Sequence, residues 1–413
     1  MSTDPSVHAD NLKSTRLDRN FVVEKTKSIE ISFSAQFEQR VFFTNDLFSA
    51  EMDLLASLIE PVSSRPTVTF CVDSGVVETR PDILKSIQGF GKDYSEKFSQ
   101  GQRIEIIPGG ESCKQGLTIV EGLLEAFHRD RLDRRSYVVA IGGGAVLDTV
   151  GLAASLTHRG IRQIRIATTT LAQADVSVGV KNAVNYFGQK NYLGAYAVPW
   201  AVINDTASLK TLSDRDFKAG FAEAVKVALL KDAEFFRQIS THAEALANRE
   251  INIAGQVTRR AAELHMEHIT GGGDPFELSQ CRPLDFGHWS AHRLESLSDY
   301  QLTHGEAVAI GIAIDCVYSR LIGRLAEDQL DAILSCLTRL GFHLNHTLLA
   351  EPEPLIAGIE EFRRHMGGTL NLTILNDIAI PHDETDLDQS QLINAIKYVS
   401  RRVGCGPGLS GRR

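Results

Sequence analysis

Three histidines between positions 288 and 304 are the residues of this sequence best suited to metal chemistry. His288 and His292 lie four residues apart in DFGHWSAHRLE, so both rings would project from the same face of a helix. His304 follows in LTHGEAVAIG, after a short interval typical of a loop. Neutral imidazole is the commonest metal ligand in proteins, and a catalytic site adds a carboxylate and keeps a position open. The pattern predicts a metal centre that needs a carboxylate from another segment.

One apolar helix holds the candidate carboxylate. The run AGFAEAVKVALL (219–230) contains only two charged residues, Glu223 and Lys226. A helix this apolar is buried on most sides, so both charges need partners. At i, i+3 the two could simply pair with each other. Glu223 also completes a His₂Glu set with His288 and His304, which is a ligand set of catalytic zinc.

A glycine triplet indicates a phosphate-binding turn. In AIGGGAVLD, Gly142, Gly143 and Gly144 stand between an apolar strand and a helix, where the backbone can approach a pyrophosphate at the helix N-terminus. A tight strand-to-helix turn explains the triplet equally well. Polar residues at or near the other strand ends favour phosphate binding, because ligands of open α/β sheets bind at such ends. They are Asp73, Glu111, Lys114, Asp148, Thr168 and Thr169.

The segment 174–194 is rich in lysine, asparagine and glycine. Lys181 and Lys190 stand there among several amides, including Asn191. Ordinary surface lysines on a solvated loop would explain this composition. The alternative is an anion site, in which ammonium and amide groups bind a phosphate or a carboxylate. We favour the anion site because the segment directly follows a strand end that carries two threonines.

Strand and helix patterns divide the chain near residue 205. Before it, apolar runs alternate with helical patterns, which predicts βαβ units and a parallel sheet covered on both faces. Predicted strands cover 67–73, 103–109, 136–144, 164–170 and 200–205, with helices at 116–130 and 145–157 and, later, at 214–247, 252–268, 288–297, 305–322, 327–340 and 353–366. We expect a flexible tail (1–25), an α/β domain (26–205), an all-α domain (206–400) and a second tail (401–413). The active site would lie in the cleft between the domains.

The composition limits the classes of function. With 413 residues, 43% hydrophobic and 23% charged, the chain has the composition of a globular protein with room for two domains. A net charge of −9 argues against nucleic-acid binding. The sequence contains neither an apolar run of membrane-spanning length nor the apolar core of a signal peptide. Six scattered cysteines without a C-x-x-C pair predict reduced thiols in a cytoplasmic protein.

Six motifs, in this order, resemble the sugar-phosphate cyclases of the 3-dehydroquinate synthase superfamily. They are GGGAVLD, ATTTLAQADVSVGVKNAVN, GQKNYLG, GFAEAVKVALLKD, RPLDFGHWSAHRLE and LTHGEAVAIG, within residues 65 to 380. The resemblance implies an N-terminal NAD-binding α/β domain, with a parallel sheet and flanking helices, and a helical metal-binding domain. It also implies NAD and a divalent metal, zinc or cobalt, as cofactors, and a homodimer.

The resemblance carries roles over to individual positions. The metal ligands would be Glu223, His288 and His304. The contacts of NAD would be Asp73, Glu111, Lys114, Gly143, Gly144, Asp148, Thr168, Thr169, Asp175 and Lys190. The substrate pocket would contain the catalytic candidates Lys181, Asn191, Lys226, Arg282 and His292. Arg159, in LTHRG, resembles an arginine that reaches the substrate phosphate of a neighbouring subunit.

The implied reaction cyclises a seven-carbon sugar phosphate. NAD⁺ oxidises a secondary alcohol to a ketone, which acidifies the adjacent C–H so that phosphate leaves by elimination. The hydride then returns, the hemiketal opens, and an intramolecular aldol reaction closes a carbocycle. Because NAD⁺ is regenerated in each cycle, no net oxidation is expected.

Several positions depart from dehydroquinate synthases and predict a different substrate. Val180 gives VGVK instead of VGGK, as in cyclases of sedoheptulose 7-phosphate. Asp285 replaces an asparagine and would repel the carboxylate of the dehydroquinate precursor. Trp289 replaces a small threonine and is a second candidate for substrate choice. A basic residue expected upstream would be Arg259 or Arg260. These positions favour a neutral ketose phosphate, although His292 is shared with dehydroquinate synthases.

Two other functions stay open at the level of sequence. A metal- and NAD-dependent polyol or alcohol dehydrogenase would share the two-domain fold, but such enzymes usually combine an aspartate with three histidines. A non-catalytic relative retained as an assembly subunit is the second alternative, and the complete set of ligands speaks against it.

Overall fold

The computed structural model describes residues 31–60, 64–271, 276, 283–365 and 371–401. The described residues from Gln39 onward form one compact unit. The predicted tail 1–25, most of the predicted tail 401–413 and the candidate residue Arg282 lie outside the described residues. No helix in the described part of the chain is both long and apolar enough to cross a membrane.

A seven-stranded parallel sheet forms the first part of the unit. Its strand order is β1-β9-β6-β5-β2-β3, and β4 also pairs with β2. The strands are β1 (Val41–Thr44), β2 (Thr67–Asp73), β3 (Ser99–Gln100), β4 (Glu105–Ile107), β5 (Tyr137–Gly142), β6 (Arg162–Ala167) and β9 (Ala201–Asp205). All six residues of β5 are buried, as expected for a parallel strand covered on both faces. The predicted parallel sheet is confirmed, and β1 and β3 are additions to it.

Helices cover both faces of this sheet. They are α1 (Leu47–Ala50), α2 (Met52–Leu58), α3 (Ser74–Thr79), α4 (Ile83–Asp93), α5 (Thr118–Arg129) and α6 (Gly144–Leu156). Val139 and Ile141 of β5 pack in one apolar cluster with α1, α2 and α4. The intervening Val138 and Ala140 pack in a second cluster with α5 and α6. Because neighbouring side chains of a strand point to opposite faces of the sheet, one apolar strand packs against the helices on both faces.

Nine helices of the described residues follow the sheet. They are α7 (Asp214–Lys231), α8 (Ala233–Thr241), α9 (Ala243–Ala247), α10 (Ile251–Gly271), α11 (His288–Leu297), α12 (His304–Leu321), α13 (Glu327–Arg339), α14 (Glu353–His365) and α15 (Gln389–Arg401). Helices α7 and α12 are the most deeply buried of them, and their side chains dominate one large apolar cluster. The predicted helical C-terminal part is confirmed.

Two glycines let α7 lie very close to its neighbours. A Cβ atom on Gly305, in the first turn of α12, would stand 2.2 Å from the carbonyl oxygen of Ala219 in α7. A Cβ atom on Gly220 would stand 2.2 Å from the carbonyl carbon of Thr170, just after β6. Helix α7 is therefore held between the edge of the sheet and the start of α12. This close packing brings the middle of α7 next to the first residue of α12.

Three elements differ from the sequence-based expectation. The segment 174–194, predicted as a loop, contains a π-helical turn (Ala172–Val176) and an antiparallel hairpin of β7 (Lys181–Tyr186) and β8 (Gln189–Tyr196). A second hairpin, β10 (Leu372–Asp377) with β11 (Ile380–Glu384), interrupts the helices. Helix α15 was not predicted either. The hairpins are short and carry many polar residues, so their patterns resemble loops until tertiary packing orders them.

Candidate active site

A cavity of about 990 Å³ opens at the carboxyl edge of the sheet and is closed on its other side by α7, α10, α11 and α12. Sixteen of the candidate residues line it. They are Asp73, Glu111, Lys114, Gly143, Gly144, Asp148, Thr168, Thr169, Asp175, Lys181, Lys190, Asn191, Lys226, His288, His292 and His304. Residues far apart in sequence thus meet at the position expected for ligands of an open α/β sheet.

Glu223, His288 and His304 form a cluster that could hold a metal ion. One possible ligand atom of each residue lies within 4.8 Å of those of the others. Oε1 of Glu223 lies 3.4 Å from Nε2 of His288 and 3.2 Å from Nε2 of His304. The predicted His₂Glu set is therefore assembled in space.

A polar contact at Nδ1 orients the ring of each histidine. Nδ1 of His288 lies 3.0 Å from the carbonyl oxygen of Phe286, and Nδ1 of His304 lies 3.1 Å from Oε2 of Glu295. A carbonyl oxygen and a carboxylate only accept hydrogen bonds, so each Nδ1 must carry the proton. Both Nε2 atoms then face Glu223, the arrangement expected of metal-binding histidines.

The carboxylate of Glu223 fits a cation in this position. It is 2% exposed, and among the described residues neither of its oxygens has a hydrogen-bond partner of acceptable geometry. Nζ of Lys226 lies 2.5 Å from Oε2, and the two groups form an ion pair. Burial raises the pKa of Glu223, yet Lys226 and His288 outweigh it and hold the pKa well below its usual value. The group is an anion whose Oε1 faces two imidazoles.

A chain of polar contacts continues from this cluster through Lys226 of α7 and Asp175 to His265 of α10. Nζ of Lys226 also lies 3.6 Å from Oδ2 of Asp175, whose Oδ1 lies 3.0 Å from Nδ1 of His265. Burial lowers the pKa of Lys226, but Glu223 and Asp175 raise it to about 12. The lysine that could simply have paired with Glu223 therefore lies between the buried carboxylate of Glu223 and the half-buried carboxylate of Asp175, and it lines the cavity.

The other end of the cavity offers groups suited to a dinucleotide. Asp73 ends β2, where Oδ1 accepts from the N–H of Gly75 at 2.9 Å and Oδ2 lies 3.4 Å from the N–H of Gly143. Gly143 and Gly144 lead into α6, whose N-terminus borders the cavity. Oγ1 of Thr168 is buried and has no partner among the described residues. These groups fit ribose hydroxyls and a pyrophosphate.

Hydrogen bonds from Asn185 and to Asn191 hold the hairpin against this end, next to an ion pair between Lys114 and Asp148. Nζ of Lys114 lies 2.7 Å from Oδ2 of Asp148 and donates to Oδ1 of Asn191 at 2.6 Å. Nδ2 of Asn185 donates to Oε1 of Glu111 at 2.7 Å. The side chains of Lys114, Asp148 and Glu111 are thus engaged in protein contacts while they border the cavity.

Two family models match most of the structured chain. The 3-dehydroquinate synthase N-terminal model matches residues 104–219, and the 3-dehydroquinate synthase C-terminal model matches residues 220–362. The chain belongs to the 3-dehydroquinate synthase family.

Named relatives of this family member include enzymes with different products. It is 34% identical over 339 residues to a 2-epi-5-epi-valiolone synthase of Streptomyces glaucescens, covering 82% of this chain and 84% of that protein. It is 35% identical over 285 residues to a 3-dehydroquinate synthase of Coxiella burnetii, covering 68% and 78%. Sequence identity alone does not separate the two activities.

Solved structures agree with the fold of this family member. The 2-epi-5-epi-valiolone synthase ValA of Streptomyces hygroscopicus, solved with NAD⁺ and Zn²⁺, gives a TM-score of 0.81 at 26% identity and covers 90% of this chain and 99% of ValA. A butanol dehydrogenase of Thermotoga maritima gives a TM-score of 0.60 at 12% identity, covering 90% and 99%. The second likeness concerns the fold alone.

Two expectations about the substrate pocket of this family member are wrong. Trp289 points away from the cavity lining formed by the described residues. It is 2% exposed in the apolar core, and its Nε1–H donates to Oδ1 of Asp315 at 2.8 Å. Arg259 and Arg260 lie on the outer side of α10, where they pair with Glu263. The rotation of a helix about its axis decides whether a side chain points into the core, the cavity or the solvent. A single sequence does not determine that rotation.

On α10, His265 lines the cavity where neither Arg259 nor Arg260 does, and it was not among the residues predicted from the sequence. It lines the cavity beside Asp175, a half-buried residue. Desolvation raises the pKa of Asp175, but His265 and Lys226 outweigh it and lower the pKa below its usual value. The available signal was the pair of His265 and His268 at i, i+3 in this helical segment.

Asp285 lies at the cavity, whereas Arg159 lies outside its described lining. Asp285 borders the cavity, in agreement with a role in substrate choice. Arg159 is exposed after α6 and is absent from the described lining of the cavity. In its own subunit it is therefore not positioned to bind a ligand there.

Proposed function

We propose that this protein is an NAD- and metal-dependent cyclase that converts a seven-carbon sugar phosphate into a carbocycle with loss of phosphate. The observation that carries the proposal is the Glu223, His288 and His304 cluster. Two of its members, His288 and His304, border the same cavity as the glycine turn at Gly143, and Glu223 lies directly behind them. A metal centre and a dinucleotide site that share one cavity suit a reaction in which oxidation and elimination occur on one substrate. The names of the relatives agree with such chemistry.

The proposed metal ligands are Glu223, His288 and His304. A divalent zinc or cobalt ion bound there supplies a Lewis acid that polarises a substrate hydroxyl and stabilises negative charge developing on oxygen. The support is the buried anionic carboxylate whose Oε1 lies 3.4 Å from Nε2 of His288 and 3.2 Å from Nε2 of His304. Residues 26–205 would form the NAD-binding domain and residues 206–400 the domain that binds metal and substrate.

The proposed NAD site lies at the sheet edge. Its residues would be Asp73, Glu111, Lys114, Gly143, Gly144, Asp148, Thr168, Thr169, Asp175 and Lys190. Bound NAD⁺ supplies a temporary acceptor for one hydride. The Asp73 carboxylate suits ribose hydroxyls, and the glycine backbone at the start of α6 suits the pyrophosphate.

Side chains of this protein would bind the substrate phosphate and accept a proton from the substrate. Lys181 and Asn191, on the hairpin, border the cavity and would donate hydrogen bonds to the substrate phosphate. Lys226 would bind substrate hydroxyls, and Arg282 is a further proposed contact. His292 lies on α11 with its ring 5.9 Å from that of His304, and burial together with Lys190 lowers the pKa of His292 well below its usual value. A neutral imidazole there can accept a proton from the substrate.

We propose a neutral ketose phosphate, of the sedoheptulose 7-phosphate type, as the substrate. Asp285 contributes a carboxylate to the cavity wall and would repel a substrate carboxylate. A relative named 2-epi-5-epi-valiolone synthase shows that products other than dehydroquinate occur among the relatives of this chain. Trp289 no longer contributes to this argument, because its side chain is buried in the core.

The substrate assay compares two sugar phosphates. The protein, loaded with Zn²⁺ or Co²⁺ and NAD⁺, is incubated with sedoheptulose 7-phosphate or with 3-deoxy-arabino-heptulosonate 7-phosphate. Phosphate release is measured and the carbocycle is identified. We expect release from the first substrate and little from the second. Preference for the second would contradict the substrate class, and release from neither would contradict the cyclase assignment.

We also propose that the protein is a homodimer in which Arg159 reaches the phosphate site of the partner subunit. Its exposed position outside its own cavity supports a role in another subunit. We further propose a cytoplasmic location. Four cysteines, Cys71, Cys113, Cys316 and Cys336, are free and buried, which suits a reducing compartment.

A further inference from the structure

Glu295 is a buried carboxylate that contacts the proposed metal ligand His304 on the side of the ring away from Glu223. It lies on α11, seven residues after His288 and three after His292, so the three side chains follow one stripe of the helix. Glu295 is 3% exposed. A buried carboxylate is stable only when donors or cations satisfy it.

Each oxygen of Glu295 has a different partner. Oε1 forms an ion pair with Nζ of Lys190, which comes from β8 and borders the cavity. Oε2 accepts from Nδ1 of His304 at 3.1 Å. Nζ of Lys190 also lies 3.4 Å from this Nδ1, but both atoms carry protons and neither can accept. The carboxylate is therefore what holds the lysine and the imidazole side by side.

The position of Lys190 excludes a second metal site here. Ligand atoms of His292, Glu295 and His304 also lie within 4.8 Å of one another. However, the ammonium group of Lys190 already neutralises Oε1 of Glu295 and would repel another cation. Glu295 thus acts on the ligand His304 and does not bind a metal of its own.

We infer that Glu295 is a positioning residue that fixes the ring of His304 for metal binding and, with the same carboxylate, holds Lys190 at the cavity wall. The inference rests on the proposed metal site. It links the metal centre to the hairpin, because a shift of Glu295 would move both the metal ligand and the Lys190 ammonium group at the proposed NAD site.

Glu295→Gln tests the inference. The amide nitrogen must face either Lys190 or the Nδ1–H of His304, and both are donors. We expect Zn²⁺ affinity, measured by competition with a chromophoric chelator, to fall roughly 10–100-fold, as for other partners of metal-binding histidines. Lys190→Met is the matched control, because it leaves the bond between Glu295 and His304 in place. We expect its Zn²⁺ affinity to stay near that of the wild type, while KM for NAD⁺, the ligand proposed for Lys190, rises in both variants.

Wild-type Zn²⁺ affinity in Glu295→Gln would overturn the inference, as would an equal loss in Lys190→Met. Glu295→Asp is the alternative test variant if Glu295→Gln does not fold. It keeps the charge but is too short to contact both partners, so an unchanged affinity there would also overturn the inference. Glu223→Gln separates this result from the proposed function. If the wild type binds no Zn²⁺, or if Glu223→Gln retains it, the metal site and the inference both fail.

Discussion

His304 occupies the first position of α12, where its Nδ1 faces Glu295 and its Nε2 faces Glu223. Replacing it by alanine removes one of three proposed ligands but leaves the sheet edge intact. We expect His304→Ala to lose bound metal and turnover while its affinity for NAD⁺ stays close to that of the wild type. Metal content after dialysis and a binding titration with NAD⁺ measure the two effects.

His343→Ala is the control for that experiment, because His343 is exposed and lies away from the described cavity lining. It should keep both metal and activity. Retention of metal in His304→Ala, or equal losses in the two variants, would contradict the assignment of His304.

Asp315 is the buried partner of Trp289 and of the N–H of Gly287, the residues that flank His288. Burial raises the pKa of Asp315, the two donors lower it in part, and the result is a pKa of about 7. The folded state therefore retains a proton that the unfolded chain loses near pH 4. Consequently the free energy of unfolding falls as the pH rises from about 4 to about 7.

Asp315→Asn removes this titration. We expect the stability of the wild type relative to the variant to decrease across that pH range and to level off above it. Urea denaturation at a series of pH values measures the difference. A difference that does not change with pH would show that Asp315 does not titrate in the folded state.

At the residue scale, spacing and residue type predicted the metal cluster but not its surroundings. Glu223 was identified because it is a charge in an apolar helix, and the histidines because of their spacing. Glu295, His265 and Asp315 were missed, and Trp289 was misplaced. Their roles depend on the rotation of α10, α11 and α12, which packing against other helices sets and a single sequence does not reveal.

At the scale of elements, the contact between α7 and α12 sets the distance between Glu223 and His304. Gly305→Ala would place a methyl group 2.2 Å from the carbonyl oxygen of Ala219. Because backbone cannot yield like a side chain, we expect destabilisation of about 1–3 kcal/mol and weaker metal binding. Urea denaturation and the chelator competition assay measure these changes.

Gly122→Ala is the matched control. Gly122 lies exposed in α5, and a Cβ atom there would meet nothing within 4 Å. Alanine in a helix interior should stabilise the protein by about 0.5–1 kcal/mol. If both substitutions change stability in the same direction, close packing at Gly305 is not the cause.

The alternation of strands and helices up to β9 was predictable, because buried parallel strands are continuous apolar runs. The β7–β8 hairpin was not, since exposed polar strands have no apolar periodicity. Its order comes in part from side-chain contacts such as that between Lys114 and Asn191. Those contacts join residues distant in sequence, so local patterns did not contain them.

At the scale of the whole molecule, the proposed dimer makes a distinct prediction. Arg159→Ala and Glu223→Gln should each have little activity alone. In a mixed dimer, the site with an intact Glu223 would receive the intact Arg159 of the partner. We therefore expect activity to recover after the two variants are unfolded together and refolded. No recovery, although mixed dimers form, would contradict a role of Arg159 in the neighbouring site.

The dehydrogenase and the cyclase share this fold, and they differ in what happens to the hydride. The most direct test follows phosphate and NADH together, with the metal-loaded protein, limiting NAD⁺ and excess sedoheptulose 7-phosphate. A cyclase that returns its hydride in each cycle should release far more phosphate than the NAD⁺ supplied and accumulate no net NADH. Accumulation of one NADH per substrate consumed, without phosphate release, would contradict the proposed function.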